Sequence, residues 1–121
     1  MPTLLVAVGG ALGAVLRYRV GLAVSQRGFP WATLLVNLSG CLVLAAVLAG
    51  PGASRWSTQT TTAVAVGVLG AYTTFSTFGY ETFQLLRTDR LGAAALYVSV
   101  SLVGGLGATA LGFWLGRLLV R

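Results

Sequence analysis

The sequence predicts an all-α integral membrane protein with four transmembrane helices, arranged as a single transmembrane domain over residues 1–121. Of these residues, 56% are hydrophobic and only 8% are charged, far below the roughly 25% of an average soluble domain. The mean hydropathy is +0.87. Apolar runs of about 20 residues or more, long enough to cross about 30 Å of hydrocarbon, are separated by short polar stretches. A soluble fold would need a polar shell that this chain lacks.

The first helix is expected over residues 3–24 and the second over 31–49. Basic residues follow the first apolar run instead of preceding it, and further spans come after it, which argues against a cleavable signal peptide. A turn from Gln26 to Pro30 joins the two helices. Pro51 and Gly52 end the second helix, because proline and glycine interrupt helical backbone.

The third helix is expected over residues 60–86, with a break near 72–77. Hydroxyl and aromatic side chains are concentrated there, at the depth where the bilayer centre should lie. Non-helical backbone at that depth is tolerated only where it is buried in protein or lines a cavity, and its freed carbonyls suit a cation. The same hydroxyls can instead satisfy a local kink without any ligand. The fourth helix is expected over residues 91–120.

The loop charges give no preferred orientation. If the four helices alternate, each side of the predicted bundle carries four positive groups: Arg19, Arg27, Arg87 and Arg90 on one side, and Arg55, Arg117, Arg121 and the N-terminal amine on the other. Cytoplasmic loops normally carry the excess of positive charge. The balance therefore fits insertion in both orientations. The arginines are at positions 17, 19, 27, 55, 87, 90, 117 and 121.

The composition excludes most enzyme chemistry. The chain has no histidine and only two acidic residues, Glu81 and Asp89, so no Ser-His-Asp triad, histidine-containing metal site or glycosidase carboxylate pair can be built. The scattered arginines do not form a basic patch with interleaved aromatics, so nucleic-acid binding is not expected. An intramembrane enzyme is the least favoured class of function.

Several polar side chains fall inside predicted spans. Thr33 and Asn37 lie one helical turn apart, and an unpaired amide in lipid is costly, so Asn37 should either bond another helix or line a wet path. Phe75 and Phe78 share a helical face beside hydroxyl donors, and their ring edges suit either core packing or an anion. Arg17 would attract anions into a vestibule or snorkel to the interface.

Donors outnumber anionic acceptors along this polar track, which favours an anion as the substrate. Tyr97 and Ser101 are one turn apart in the fourth span and add two more hydroxyls. Glu81 follows the break, and pairing with an arginine is favoured for it over a catalytic role.

Three segments resemble the Fluc/CrcB fluoride channel family. They are GGALGAVLRY at residues 9–18, TLLVNLSG at 33–40 and GAYTTFSTF at 70–78, the last followed by Glu81. The match covers the whole chain in order and spacing, and the third segment is the most specific.

This resemblance implies an antiparallel, dual-topology homodimer in a bacterial inner membrane, with two pores that passively export fluoride from the cytoplasm and so relieve its toxicity. It also implies a structural Na⁺ at the dimer centre, held by the backbone carbonyls of Gly70 and Thr73. Arg17 would lie in a vestibule. The implied fluoride pore is lined by Asn37, Thr74, Phe75, Ser76, Phe78, Tyr97 and Ser101.

Two alternative functions remain, a small multidrug antiporter and a non-transporting assembly subunit. A small multidrug antiporter has similar size and helix number, but it needs a titratable carboxylate deep in the membrane, and the first span carries none. A non-transporting assembly subunit would use the polar break only for packing.

Overall fold

The computed structural model describes residues 1–25 and 27–121, and these parts of the chain are helical with short connections. A π-helical turn over Ala63–Leu69 lies between the fourth and fifth α-helices. The α-helices in the described ranges are α1 (Pro2–Ala23), α2 (Trp31–Ala49), α3 (Pro51–Ser54), α4 (Thr58–Thr62), α5 (Gly70–Tyr72), α6 (Phe75–Arg87) and α7 (Leu91–Leu119).

Four membrane segments account for these elements, which confirms the predicted all-α class. Three of them, α1, α2 together with α3, and α7, are long and apolar enough to span a bilayer. The third segment consists of α4, the π-helical turn, α5 and α6, and it is interrupted after Tyr72. The predicted turn over 26–30 is seen from Arg27 onward, and Gln26 lies outside the described residues.

Helices α2 and α7 pack along each other at glycine-mediated backbone contacts. A Cβ atom added at Gly112 would lie 2.9 Å from the carbonyl carbon of Leu42, and one added at Gly116 would lie 3.0 Å from the Cα of Ala46. Small residues allow helix backbones to approach this closely in membranes, where dispersion contacts supply much of the attraction. The two glycines therefore fix the position of α2 against α7.

Helix α1 packs in the same way against the π-helical turn and α5. A Cβ atom at Gly9 would lie 2.7 Å from the carbonyl oxygen of Ala63, and one at Gly67 would lie 2.9 Å from that of Val6. Both glycines are buried. This contact fixes the position of the π-helical turn, and of the break that follows α5, relative to α1.

A tight turn joins α6 to α7. Asp89 has φ +59°, in the left-handed region where aspartate is among the better tolerated residues. The Asp89 N–H donates to the Leu86 carbonyl at 3.2 Å, and the Arg90 N–H donates to the Leu85 carbonyl at 2.8 Å. This pair of bonds is a Schellman motif, which satisfies the last carbonyls of α6 and directs the chain into α7.

Little of the apolar surface is buried within one chain. The core cluster consists of Leu34, Leu85, Ala94 and Tyr97, with Phe78 among the residues packed against it. Many large apolar side chains along α1 and α7 are exposed, among them Val103 and Leu106. A surface of this kind is compatible with lipid or with another protein chain, and not with water.

The α2–α7 contact predicts a specific sensitivity to one added methyl group. Gly112→Ala should lower the free energy of unfolding by about 1–3 kcal/mol, because the new Cβ overlaps the Leu42 backbone. Gly92→Ala is the matched control on the same helix, since a Cβ there meets nothing within 4 Å. It should be neutral or stabilising by up to about 1 kcal/mol. Thermal unfolding in detergent checks both, and equal losses would contradict the contact.

Candidate functional site

The third segment loses its helical conformation at two residues, Thr73 and Thr74. Both have extended dihedral angles, with ψ of 157° and 115° respectively. This break is narrower than the predicted 72–77, because Ser76 and Thr77 already belong to the first turn of α6. The Thr74 side chain caps that turn by accepting a hydrogen bond from the Thr77 N–H at 3.3 Å. A threonine at the N-cap therefore restarts the helix immediately.

Asn37 of α2 pairs with the backbone of the break. Its side-chain Nδ2 donates to the Thr74 carbonyl at 3.1 Å, and the Thr74 N–H donates to Asn37 Oδ1 at 2.8 Å. One amide side chain thus satisfies both polar backbone groups of a non-helical residue inside an apolar segment. Of the two roles considered from the sequence, this bond to another membrane segment is the one that the structure shows, and Asn37 also borders a groove.

The predicted sodium ligands, Gly70 and Thr73, lie on the N-terminal side of this pairing. In an unbroken helix their carbonyls would accept from the N–H groups of residues 74 and 77. The Thr74 N–H is instead bound to Asn37, and the Thr77 N–H is bound to the Thr74 hydroxyl. Both carbonyls have therefore lost their helical donors. Hard oxygen atoms of this kind suit a hard cation such as Na⁺, so the residues present fit the group.

A groove of about 290 Å³ runs past the break. Phe75 and Phe78 face it with their ring centroids 5.8 Å apart, and Phe75 is 81% exposed. Beside the two rings the wall carries amide and hydroxyl groups, and these donors together with the ring edges suit a small anion. The predicted site residues in its lining are Asn37, Gly70, Thr73, Thr74, Phe75, Phe78 and Ser101.

Two of the predicted pore residues are outside the lining of this groove. Tyr97 is fully buried behind Phe78, with 5.0 Å between ring centroids, and its hydroxyl donates to Glu81 at 3.3 Å. The favoured pairing of Glu81 with an arginine is therefore replaced by this tyrosine contact. Ser76 is exposed, and its hydroxyl lies 3.3 Å from that of Thr74.

Arg17 lies in a second groove, of about 300 Å³, which also contains Thr33 and Thr77. We call this the arginine groove, and the groove lined by Phe75 and Phe78 the phenylalanine groove. Thr74 lines both of them, so the two grooves meet at the break. Thr33 is predicted on the same helical face as Asn37, but neither Thr33 nor Thr77 is among the predicted site residues. The sequence shows that Thr33 and Asn37 are one helical turn apart, but it does not show that α1 packs against the break.

The match to known proteins covers nearly the whole chain. The family described as "CrcB-like protein, Camphor Resistance (CrcB)" matches residues 4–113. The Fluoride-specific ion channel FluC of Thermus thermophilus is 45% identical over 120 residues, which are 97% of this chain and 96% of that protein. Fluoride-specific ion channel FluC 2 of Rhodococcus jostii is 47% identical over 114 residues (93% and 96%). Fluoride-specific ion channel FluC 1 of Bacillus cereus is 40% identical over 122 residues (98% and 89%).

The Asn37 pairing predicts a large effect of removing one amide. Asn37→Ala leaves the Thr74 N–H and carbonyl without partners, which should cost about 1–3 kcal/mol for each group. Thermal unfolding and hydrogen exchange of the Thr74 amide measure this effect. Thr109→Ala is the control, because its hydroxyl bonds only the Gly105 carbonyl of its own helix. If both variants lose the same stability, the pairing does not hold the break.

Proposed function

Since the chain belongs to the CrcB-like family, we propose that it is a fluoride-selective ion channel, not an enzyme, and that it exports fluoride passively from the cytoplasm. The observation that carries this proposal is the meeting of the two grooves at Thr74. Arg17 lies on one side of that residue, and Asn37 and Phe78 lie on the other. In the described parts of the chain, neither groove lining contains a carboxylate that would repel an anion.

The physical task of such a path is to replace the hydration shell of fluoride. Fluoride is small and strongly hydrated, so hydroxyl and amide donors and ring edges must offset the loss of water. Several weak contacts serve better than one strong site, because a conducted ion must leave as readily as it enters. The groove offers the Asn37 amide, the Ser101 hydroxyl and the rings of Phe75 and Phe78. A narrow path of this kind would discriminate against the larger chloride.

Export on this proposal needs no energy source besides the membrane potential. An inside-negative potential of about 100 mV contributes roughly 2.3 kcal/mol toward expelling one monovalent anion. Arg17 would raise the local anion concentration at the mouth of the path. The expected location is the bacterial inner membrane, which the three long apolar helices suit.

An antiparallel homodimer with two pores is part of the proposal. The phenylalanine groove is open in a single chain, where Phe75 is 81% exposed. A fluoride ion in that groove would therefore contact lipid or water. A second copy would close the groove. The balanced distribution of positive groups supports insertion in both orientations, which an antiparallel pair requires.

A structural Na⁺ at the carbonyls of Gly70 and Thr73 completes the proposal. The diverted helical donors at the break support it. A bound Na⁺ would neutralise the carbonyl dipoles at the break.

The channel proposal predicts that the two rings are needed for flux. Phe75→Ile and Phe78→Ile should each lower fluoride efflux from voltage-clamped liposomes by about tenfold or more, since a loss of about 1.4 kcal/mol along the path corresponds to tenfold. Phe83→Ile is the matched control, because Phe83 is an exposed residue of the same helix outside the groove. Chloride-loaded liposomes test selectivity. If the wild-type dimer releases no fluoride, the channel proposal is wrong.

Dual insertion predicts activity of topology reporters on both sides of the membrane. Alkaline phosphatase and green fluorescent protein, fused in separate experiments to the C-terminus, should both be active, because the loop charges do not select an orientation. Adding two lysines after Arg121 should make insertion one-sided and reduce fluoride efflux, since antiparallel partners are then missing. Activity of only one reporter with the unmodified C-terminus would contradict the antiparallel dimer.

A further inference from the structure

A second side-chain contact joins α2 to the third segment. Asn37 bonds Thr74 in the break, whereas this contact involves Tyr72, which precedes the break. The hydroxyls of Ser39 and Tyr72 lie 3.0 Å apart, and Ser39 Oγ also lies 3.2 Å from the Val36 carbonyl. Because the serine hydroxyl has one proton and donates it to that carbonyl, the tyrosine hydroxyl is the donor to Ser39. Tyr72 is the last residue of α5, immediately before the extended residues.

Gly40 allows this contact by leaving room for the residues of the break. A Cβ atom at Gly40 would lie 3.5 Å from Cδ1 of the Tyr72 ring, and it would overlap the side-chain methyl of Thr73. In α2, residue 37 thus bonds residue 74, residue 39 bonds residue 72, and residue 40 lies against residues 72 and 73. Thr73 is also bonded to the preceding part of the third segment. Its N–H and its hydroxyl both donate to the Leu69 carbonyl, at 3.1 and 3.0 Å.

We propose that Tyr72 is a positioning residue for the Na⁺ site, acting through its hydrogen bond to Ser39. The inference rests on the proposed sodium site at the carbonyls of Gly70 and Thr73. Asn37 holds the C-terminal side of the break, and the Tyr72–Ser39 bond holds the N-terminal side, to which Gly70 belongs. Together they restrict the backbone between the two carbonyls, so that less conformational freedom is lost when the cation binds. Tyr72 is not among the residues that line either groove.

The proposal predicts a change in sodium affinity with little change in folding. Tyr72→Phe keeps the ring that packs on Gly40 and removes only the hydroxyl. We expect the sodium concentration that gives half of the maximal thermal stabilisation to rise about threefold to tenfold, the size of one net hydrogen bond. The selectivity for fluoride over chloride should stay as in the wild type.

The experiment is a titration of the purified full-length protein in detergent, with NaCl replacing choline chloride at constant ionic strength. The melting temperature and the hydrogen exchange of residues 70–77 are followed, and neither readout depends on flux. Ser39→Ala should shift the sodium midpoint as Tyr72→Phe does, and the double variant should shift it no further. Ser39→Thr keeps a hydroxyl and should retain most of the wild-type affinity.

Tyr80→Phe is the matched control, since it also removes one phenolic hydroxyl, which accepts from Gln84 at 2.8 Å away from the break. A wild-type sodium midpoint in Tyr72→Phe would overturn the proposal, as would additive effects of the two single variants. If the wild-type protein itself shows no sodium dependence, the sodium site and this inference fail together. Fluoride efflux from liposomes then decides separately whether the channel function stands.

Discussion

A helix that breaks inside a membrane has backbone N–H and carbonyl groups that lipid cannot hydrogen-bond, and each unpaired group costs several kcal/mol. In this chain the pairing of Asn37 with Thr74 meets that cost at the residue where the helix restarts. The pairing requires α2 to lie beside the break. Gly112 and Gly116 of α7 secure that position by admitting the α2 backbone at close range. The glycines of α7 thus support a polar site to which they contribute no polar side chain.

Helix α1 reaches the other side of the break by the same means. Gly9 and Gly67 allow α1 to contact the π-helical turn, and Gly13 lies against the backbone of residues 68–72. Arg17 is one helical turn beyond Gly13, which brings its groove to Thr74. A π-helical turn inserts an extra residue into the helical repeat, so it changes which side chains face α1 before the break begins. Close packing and the break therefore act together to bring the two grooves to one residue.

The four segments and the break were predictable, because long apolar runs and a mid-segment cluster of hydroxyls are properties of local sequence. The need of Asn37 for a polar partner was also predictable, although its partner was not. The contact of Ser39 with Tyr72 joins residues 33 positions apart, and no local pattern indicates it. The assignment of Ser76 to the pore lining remains a prediction. Because α6 begins at Phe75 and each residue of an α-helix turns by about 100°, the Ser76 side chain points about 100° away from the Phe75 ring.

The break also separates two kinds of polar group that suit opposite charges. Before it, the carbonyls of Gly70 and Thr73 have lost their helical donors. After it, α6 begins with the partial positive charge of a helix N-terminus, beside the hydroxyls of Thr74 and Ser76. Of the two extended residues, Thr73 belongs to the first region and Thr74 to the second. An anion path on one side and a cation on the other would therefore each lower the electrostatic cost of the other. On the proposed function, one interruption of one helix therefore serves both ions, and any residue that holds its two sides apart affects both.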